Sequence, residues 1–413
     1  MPVEGGDAGL LRLAAAVFEG NSGGVGVAVS GGSDSVALLH LLAAAGVRVY
    51  AVTINHDLRS GAAEEARFVA GLCAGLGVPH SVLVWDHGVI AGNLPDAARR
   101  ARYRLMAGWA ATRGIARVML GHTADDQAET VLMGLTRGAG LDGLCGMRAS
   151  WALDGVRFER PLLGVMRADL RGYLVRAGVG WVDDPTNDDA LYQRVRVREA
   201  LAVLRPLGIS VESLTLVARN LAAARQALIL GLAEAAARVV RENAGALIFD
   251  RAALLALPAE VNRRLLNAAL RWVSGAEYAP RAEAVMRVQA AIELGRDATL
   301  WGCRIRVGET EVTIVREPAA VAGKVSKPDQ LWDNRWRLEG LSGPGPGLEV
   351  RALTAAGLRA CKDWRGIGIS RDALLVSPAI WRGDALIAAP LAGVSNGWTA
   401  RIDAGFASFI ISH

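Results

Sequence analysis

The chain has 413 residues, of which 52% are hydrophobic and 21% are charged, and its formal net charge is +5. This composition excludes a largely disordered or collagen-like chain, and the length favours two or three domains. Its four cysteines form no CxxC pair, which disfavours a zinc cluster or iron–sulfur site and predicts a reducing, cytoplasmic setting.

Short β-rich runs alternate with helical patterns in the first third of the chain. The predicted strands are 25–29, 47–54, 81–84 and 117–120, and the predicted helices are 35–45, 62–75, 96–112 and 125–135. Strands that alternate with helices of about ten or more residues predict a parallel sheet with crossover helices. We therefore predict an α/β fold with a Rossmann-like parallel sheet, whose continuously apolar strands are buried on both faces.

This alternation stops after residue 187. Helical patterns follow at 199–240, 254–273 and 281–292, and residues 300–315 predict a β-hairpin with Gly308 at its turn. Residues 318–346 are rich in proline and glycine and end in SGPGPG, which predicts a linker. We predict three domains, namely an α/β domain over 1–212, a mostly helical middle domain over 213–320 and a small α+β domain over 345–413. The N-terminus shows no signal-peptide pattern, and no apolar stretch reaches the length of a membrane span.

The sequence SGGSDS lies between the first predicted strand and the following helix. Two glycines let the backbone turn tightly and approach a ligand, and the amides at a helix N-terminus bind anions. Serine hydroxyls add donors, whereas Asp34 suits this place when a magnesium ion or a ribose hydroxyl offsets its charge. The alternative is a plain strand–turn–helix connection with Ser and Asp as helix caps. We predict a phosphate-binding loop formed by Ser30, Gly31, Gly32, Ser33, Asp34 and Ser35.

The second polar motif is GHTADDQAET, which follows the fourth predicted strand. His122, Asp125, Asp126 and Glu129 are spaced so that they lie along one stripe of a helix. Three carboxylates on one stripe repel each other unless a positive group lies between them. An acidic first turn that complements the helix dipole would explain Asp125 and Asp126, but not His122 and Glu129.

SGGSDS resembles the PP-loop of the N-type ATP pyrophosphatases, and GHTADDQAET is similar to the HxxDDQxET signature of the tRNA(Ile)-lysidine synthetases within that superfamily. Further segments agree in the same order. NHDLR contains His56, and NLPDAARRARY contains Arg99 and Arg102. DPTN contains Asn187, and RPLL over 160–163 matches as well. The resemblance is strong to about residue 198 and weaker afterwards.

The run RVRVR resembles the RNxIR segment of that family and contains Arg194, Arg196 and Arg198, with Val195 where asparagine is usual. A strand would place the three arginines on one side, whereas a helix would spread them. Arginine supplies nearly all the positive charge, since lysine occurs only three times. Arginine clusters suit phosphate contacts, although a genome-wide preference for arginine and a solvated basic face are the competing explanations.

The resemblance implies the reaction. ATP with Mg²⁺ would bind at residues 30–35, and the C2 oxygen of cytidine 34 in the CAU anticodon of tRNA(Ile) would attack the α-phosphate. Free lysine would then displace AMP, giving lysidine. The resemblance also implies tRNA-binding middle and C-terminal domains and a cytoplasmic, membrane-free enzyme. The oligomeric state stays open, with a homodimer as one option.

The same resemblance assigns the site residues. It implies that Asp34 and Asp126 position the metal or the amine, and that Glu129 binds the exocyclic amine of cytosine. His122 and Arg194 would stabilise the phosphoryl transfer or the tRNA. His56 would lie near the nucleotide, and the candidates for tRNA or phosphate contacts are Arg99, Arg102, Asn187, Arg196 and Arg198.

Two alternatives remain. Another PP-loop enzyme that modifies tRNA, such as a thiolation enzyme, should carry catalytic cysteines, and none lies near a matching motif. A non-catalytic nucleotide- or tRNA-binding module should have lost its acidic residues, whereas Asp34, Asp126 and Glu129 are all present.

Overall fold

The computed structural model describes residues 6–17, 23–55, 62–85, 94–183, 193–276, 278–340 and 345–412. The chain divides into two compact units, Met1–Arg225 and Gln226–His413. The division into three domains, at 1–212, 213–320 and 345–413, stays a prediction.

One six-stranded sheet forms the centre of the first unit. Its strands are β1 (Val25–Ala28), β2 (Val49–Asn55), β3 (His80–Val84), β4 (Arg117–Leu120), β5 (Ser150–Leu153) and β6 (Val156–Glu159). They lie in the order β3-β2-β1-β4-β6-β5, and every pairing is parallel except the antiparallel pair β5–β6. The strand order therefore reverses between β1 and β4, and in open α/β sheets ligands bind at the carboxyl ends of the strands at this switch point.

Nine α-helices of the described chain begin in the first unit. They are α1 (Asp7–Ala16), α2 (Ser33–Ala44), α3 (Ala62–Gly75), α4 (Leu94–Thr112), α5 (Ala124–Leu135), α6 (Leu141–Leu144), α7 (Arg167–Ala177), α8 (Gln193–Leu204) and α9 (Val211–Val239). The main core packs β1 and α2 against α7, with Val27, Leu38, Leu42, Leu170 and Leu174 almost fully buried. Because α7 is tied to α2 by this apolar contact, its first residue is held beside the first turn of α2.

These elements confirm the predicted α/β fold class. The alternation of β-rich and helical patterns was a sufficient signal because the central strands are largely apolar, as in β1, where no residue is exposed. The expected burial on both faces is wrong for β3, because this strand lies at the edge of the sheet and leaves Val82 and Val84 exposed. Helix α2 begins at Ser33, two residues before the predicted start, so the last residues of SGGSDS form its first turn. RVRVR lies within a helix, α8, and not in a strand.

A five-stranded antiparallel sheet forms the centre of the second unit. Its strands are β7 (Val240–Asn243), β8 (Ala246–Asp250), β9 (Ala298–Leu300), β10 (Cys303–Val307) and β11 (Glu311–Arg316), in the order β7-β8-β11-β10-β9. The helices α10 (Arg251–Leu255), α11 (Ala259–Ser274) and α12 (Ala282–Glu293) accompany it. The predicted hairpin is confirmed in β10 and β11, where the Gly308 amide donates to the Glu311 carbonyl oxygen at 2.8 Å.

The predicted linker at 318–346 is wrong over most of its length. Helix α13 (Pro318–Val321) and strand β12 (Trp336–Gly340) lie within it, and the Trp332 side chain is 1% exposed. Proline and glycine in this segment form turns around buried tryptophans. Composition alone cannot distinguish such turns from a linker, because both are rich in the same two residues. The remaining strands and α-helices of the described chain are β13 (Glu349–Ala352), α14 (Thr354–Ala360), α15 (Arg371–Leu375), β14 (Pro378–Arg382), β15 (Ala385–Ala388), β16 (Trp398–Ile402) and α16 (Phe406–Ser412).

Helix α9 is the one described helix whose length and apolar composition would suffice to cross a membrane. Those two properties are weak evidence when a single helix has them. The helix also carries charged residues along its length, namely Glu212, Arg219, Arg225, Glu234 and Arg238.

Candidate active site

The SGGSDS loop connects the carboxyl end of β1 to α2 and is held closed by its own serines. Gly31 has φ +94°, a conformation that L side chains rarely adopt, so glycine is required there. The Ser30 amide donates to Oγ of Ser35 at 3.1 Å, and that hydroxyl donates to the Gly32 carbonyl oxygen at 3.0 Å. The loop is therefore preformed at the N-terminus of α2, where backbone amides favour an anion.

Gly121 brings the second motif against this loop. It follows β4, the neighbour of β1 in the sheet. A Cβ at this position would lie 2.8 Å from Cα of Ser35, so any side chain would force the two segments apart. The glycine of GHTADDQAET thus allows the acidic helix α5 to begin beside the first turn of α2.

The first turn of α5 is held by the acidic side chains themselves. Oδ2 of Asp126 accepts hydrogen bonds from the Thr123 amide at 2.9 Å and from its hydroxyl at 3.0 Å. Oδ2 of Asp125 accepts from the Arg167 amide at 2.8 Å, which ties α5 to the first residue of α7. Asp126 and Glu129 are buried on the same helix face, as their spacing predicts.

The side chain of Arg167 contacts the three carboxylates to which the family resemblance assigns site roles, Asp34, Asp126 and Glu129. Its Nε donates to Oδ2 of Asp34 at 2.8 Å, its Nη2 lies 3.4 Å from Oδ1 of Asp126, and its Nη1 lies 3.8 Å from Oε1 of Glu129. The arginine side chain is 19% exposed. This chain therefore supplies a positive group between Asp126 and Glu129 of the α5 stripe, and the same group also neutralises Asp34 of α2.

Glu129 is also approached by two arginines of RVRVR. Nε of Arg198 donates to its Oε1 at 2.6 Å, and Nε of Arg194 lies 3.9 Å from its Oε2. Arg194 and Arg198 are one helical turn apart in α8, so they share a face, whereas Arg196 is exposed on another face. Val195, which replaces the usual asparagine of the family, is buried.

His122 is held in one tautomer by a buried arginine. Nε of Arg160, which can only donate, lies 3.1 Å from Nδ1 of His122, so Nδ1 accepts and the ring proton is on Nε2. Arg160 is 6% exposed, lies 4.2 Å from the Trp151 ring centroid and donates to the Arg148 carbonyl oxygen. Burial, together with the Arg160 charge, lowers the pKa of His122 to about 3, so the imidazole is neutral at physiological pH.

The Tyr103 ring lies beside the two predicted phosphate-binding arginines of α4, Arg99 and Arg102. The guanidinium carbons of Arg99 and Arg102 each lie 5.2 Å from its ring centroid, and Nη2 of Arg102 donates to its hydroxyl at 3.4 Å. The Arg160 side chain reaches the same hydroxyl at 3.5 Å. The predicted pair of phosphate contacts therefore lies close to His122 through a shared tyrosine and Arg160.

The three central carboxyl groups differ in their ionisation. Burial raises the pKa of Asp34, and the Arg167 charge opposes this only in part. Burial also raises the pKa of Glu129, against the hydrogen bond and charge of Arg198. Burial acts on Asp126 in the same direction, but the Arg167 charge and the Thr123 amide outweigh it and lower the pKa of Asp126.

The structure thus brings together Asp34, His122, Asp126, Glu129 and Arg194 around one site, with Ser30 to Ser35 beside it. His56 and Asn187 lie outside the described residues. Arg196 has no contact with the carboxylates among the described residues. The functional roles of all these residues stay predictions.

Sequence reasoning missed three arginines of the site. Arg160 belongs to the matching RPLL segment, so its position offered a signal, although no role was assigned to it. Arg167 lies in none of the motifs recognised in the sequence, so no signal pointed to it. Arg171 lies one turn further along α7, with its Nε 3.3 Å from Oγ of Ser33 and its Nη2 2.9 Å from Oδ1 of Asp183.

A family model described as "PP-loop domain" matches residues 11–204. Among curated proteins, the tRNA(Ile)-lysidine synthase of Ruegeria pomeroyi is 45% identical over 399 residues, which is 94% of this chain and 94% of the relative. The tRNA(Ile)-lysidine synthase of Zymomonas mobilis is 38% identical over 68% of this chain and 84% of the relative. The tRNA(Ile)-lysidine synthase of Anaplasma marginale is 30% identical over 89% and 86%.

Solved structures give a more distant likeness. The U34-tRNA thiolase NcsA from Methanococcus maripaludis, solved with its [4Fe-4S] cluster, has a TM-score of 0.44 at 15% identity over 51% of this chain and 76% of that chain. The NH3-dependent NAD synthetase from Campylobacter jejuni has a TM-score of 0.32 at 15% identity over 52% of this chain and 90% of that chain.

Proposed function

This chain belongs to the tRNA(Ile)-lysidine synthase family of PP-loop proteins, and we propose that it joins free L-lysine to C2 of cytidine 34 in the CAU anticodon of tRNA(Ile). ATP is converted to AMP and diphosphate through an adenylated cytidine. The product changes codon and aminoacylation specificity from methionine to isoleucine. As in the relatives that it matches over nearly their whole length, the chemistry is that of an ATP-dependent ligase that modifies tRNA.

One observation carries the proposal. The preformed loop at the N-terminus of α2 and the acidic face of α5 meet at the β1–β4 switch point, and Gly121 leaves no room for a side chain between them. An anion site beside carboxylates that attract cations is what the joining of a nucleotide to an amine requires. Such a site binds the phosphates of ATP on one side and a positively charged amine on the other.

Magnesium fits the oxygen ligands of this site. Oδ2 of Asp34 and Oδ1 of Asp126 converge on the same guanidinium. Mg²⁺ is commonly bound by one or two carboxylates together with substrate phosphates and water. We assign Asp34 and Asp126 as its protein ligands, where the ion would neutralise phosphate charge. Ser30, Gly31, Gly32, Ser33 and Ser35 would contact the phosphates, and His56 the nucleotide.

His122 acts in this proposal as a neutral hydrogen-bond donor. Its Nδ1 is occupied by Arg160, so only Nε2–H is available to the substrate. A neutral imidazole carries no positive charge at pH 7. Its Nε2–H can still donate a hydrogen bond to an oxygen that becomes more negative as the α-phosphate is attacked. Arg160 is thus a positioning residue for His122.

Glu129 is the group we assign to the amine chemistry. Its Oε2 has no hydrogen-bond partner among the described residues, although the side chain is 1% exposed. A buried acceptor without a partner is costly, and an amine N–H, either of the cytosine or of lysine, would satisfy it. The raised pKa of Glu129 also brings its carboxylate closer to the basicity that is needed to accept a proton from lysine.

Arginines around the site are suited to the tRNA backbone. Arg194 is about half exposed beside Glu129, and Arg196 is exposed on the same helix. We propose that Arg99, Arg102, Asn187, Arg194, Arg196 and Arg198 contact tRNA, that the middle and C-terminal domains add further contacts, and that the enzyme acts in the cytoplasm. Whether it acts as a homodimer stays a prediction.

A thiolation enzyme is not favoured. All four cysteines of the chain are buried in the structure. Burial raises the pKa of Cys73 to about 11 and that of Cys303 to about 12, so neither supplies a thiolate near neutral pH.

The direct test is transfer of radiolabelled lysine to a tRNA(Ile) transcript with a CAU anticodon, in the presence of ATP and Mg²⁺. We expect lysine to be retained on this transcript, and a transcript in which cytidine 34 is replaced by uridine to stay unlabelled. Equal labelling of both transcripts would contradict the assigned acceptor. A lack of labelling of either would contradict the ligase activity itself.

A further inference from the structure

A single arginine occupies the place between the carboxylates where a cation of the reaction would bind. Nε of Arg167 lies 2.8 Å from Oδ2 of Asp34 and its Nη2 3.4 Å from Oδ1 of Asp126. Its Nη1 lies 3.8 Å from Oε1 of Glu129. The oxygens that we assign to Mg²⁺ therefore already face a positive group that belongs to the protein.

The fold fixes this arginine in place. Arg167 is the first residue of α7, and its amide donates to Oδ2 of Asp125 at 2.8 Å. Leu170 and Leu174 of the same helix are fully buried in the core that contains α2. The guanidinium thus projects from an anchored helix end into the space between α2 and α5, and only its side-chain torsions need to change for it to move.

The guanidinium and a divalent cation exclude each other at these oxygens. Mg²⁺ requires ligand oxygens at about 2.0–2.1 Å, which leaves no room for an arginine between the same carboxylates. Within the described part of the chain, no group of three or more His, Cys, Asp or Glu side chains is placed to hold a metal ion. Asp34 and Asp126 would therefore supply two of the ligands of the ion, and phosphate oxygens and water would supply the others.

We propose that Arg167 is a positioning residue that keeps Asp34, Asp126 and Glu129 converged before substrates bind, and that the metal ion of Mg–ATP displaces its guanidinium from Asp34 and Asp126. Without the arginine, the carboxylates repel each other and turn outward, although their oxygens are then free to bind a metal. The arginine therefore weakens metal binding and supports turnover. The inference rests on the proposed function for the identity of the displacing cation.

The test compares metal affinity with turnover in Arg167→Met, which keeps an unbranched stem but removes the guanidinium and its charge. Binding of Mn²⁺ to the full-length protein without nucleotide is measured by electron paramagnetic resonance, with Mn²⁺ as the probe for the Mg²⁺ site. We expect Mn²⁺ to bind roughly threefold or more tightly in Arg167→Met than in the wild type, because a competing ion pair is gone. We expect kcat for lysine transfer to fall about 100-fold, because the carboxylates are misplaced.

Opposite changes in affinity and turnover distinguish this role from simple structural damage, which would lower both. The double variant Asp34→Asn with Arg167→Met should lose the gain in Mn²⁺ affinity, which localises the ion. Arg167→Lys keeps one positive charge but loses the planar guanidinium, so its Mn²⁺ affinity and its kcat should lie between those of the wild type and Arg167→Met. This variant replaces Arg167→Met in the test if the methionine variant does not fold. Arg176→Ala is the matched control, since Arg176 lies on the same helix and pairs with Asp7.

Equal or weaker Mn²⁺ binding in Arg167→Met would overturn the proposal, and so would an unchanged kcat. Failure of the proposed function would be recognised separately, because the wild type would then transfer no lysine to tRNA whatever the Mn²⁺ titrations show.

Discussion

The two units of the molecule each bury a cluster of charged side chains, and the clusters are built in opposite ways. In the second unit Asp333 is 1% exposed in its side chain and is paired by two cations, with Arg316 at 2.9 and 3.1 Å and Lys324 at 2.5 Å. In the first unit Arg167 is shared among three carboxylates at 2.8, 3.4 and 3.8 Å. Asp333 thus has two cationic partners of its own, whereas Asp34, Asp126 and Glu129 share Arg167, and only Glu129 has further arginine partners in Arg194 and Arg198.

The difference indicates what each cluster is for. The Asp333 cluster is satisfied by the protein alone, and Arg316 also donates to the Gly302 carbonyl oxygen. The cluster of the first unit leaves Oε2 of Glu129 without a hydrogen-bond partner among the described residues and holds Asp34 and Glu129 with raised pKa values. A buried network that the protein does not satisfy by itself suits a site completed by substrates.

The largest expected effect is on turnover in Glu129→Gln. We expect kcat for lysine transfer to fall about 1000-fold or more, because an amide cannot accept the amine proton.

The pKa of Glu129 is raised in the folded state by burial, so its ionised form destabilises the fold increasingly as pH rises through that pKa. Glu129→Gln should therefore be at least as stable as the wild type at pH 8, as measured by urea denaturation, and any advantage should shrink towards pH 4. A clear loss of stability at pH 8 would contradict the comparison.

Asp333→Asn should have the opposite outcome. Removing the charge from a buried carboxylate that has two cationic partners leaves Arg316 buried without its counter-charge and should cost about 3 kcal/mol of stability. The measurement is the urea midpoint of the transition, with Asp403→Asn as an exposed ion-pair control that should change it little. Turnover per folded molecule should stay close to that of the wild type. A stable variant with lost activity would mean that the two clusters do not divide their roles in this way.

Arg160→Met should alter the pH dependence of the reaction. Burial and then the Arg160 charge lower the pKa of His122, and removal of that charge should raise it. The neutral donor would be lost as pH falls through the new value, so the acid limb of the kcat profile should move to higher pH. We also expect about a tenfold fall in kcat at neutral pH, because the tautomer is no longer fixed. A profile that superimposes on the wild type would show that Arg160 does not set the state of His122.

The smallest expected effect is on tRNA affinity. Arg194→Ala should weaken binding of the tRNA(Ile) transcript about fivefold and reduce its dependence on salt, with ATP affinity unchanged, since a phosphate contact is lost. Filter binding at several salt concentrations measures both quantities. Arg241→Ala removes an exposed arginine that pairs with Glu311 in the second unit and serves as the control. Equal losses in both variants would indicate that net charge alone, and not the site, attracts the tRNA.

The sequence predicted the parts of the site that lie within short motifs directly after a strand. SGGSDS and GHTADDQAET each follow a buried strand, so the positions of Asp34, Asp126 and Glu129 could be inferred from periodicity and from the family resemblance. Their convergence also depends on Arg167, which lies 38 residues beyond Glu129 along the chain and is brought to it by the packing of α7 on α2. Such a contact has no periodic signal in a single sequence.

Alternation alone did not decide the structure of RVRVR. Both a strand and a helix bury Val195 and Val197, and the packing of α8 against α5 selects the helix. The linker expected at 318–346 was wrong for a related reason. Proline and glycine mark turns, but tertiary burial of Trp332 and Trp336 decides whether those turns belong to a folded unit.

The central claim is that the SGGSDS loop activates ATP beside the acidic helix. The most direct measurement is transfer of label from [α-³²P]ATP to a tRNA(Ile) transcript when lysine is omitted, in the wild type and in Asp34→Ala. We predict that the wild type forms a labelled, adenylated transcript and that the label is released as AMP when lysine is added. The rate of adenylation should be about 1000-fold lower with Asp34→Ala. Adenylation by Asp34→Ala at the wild-type rate would contradict the account.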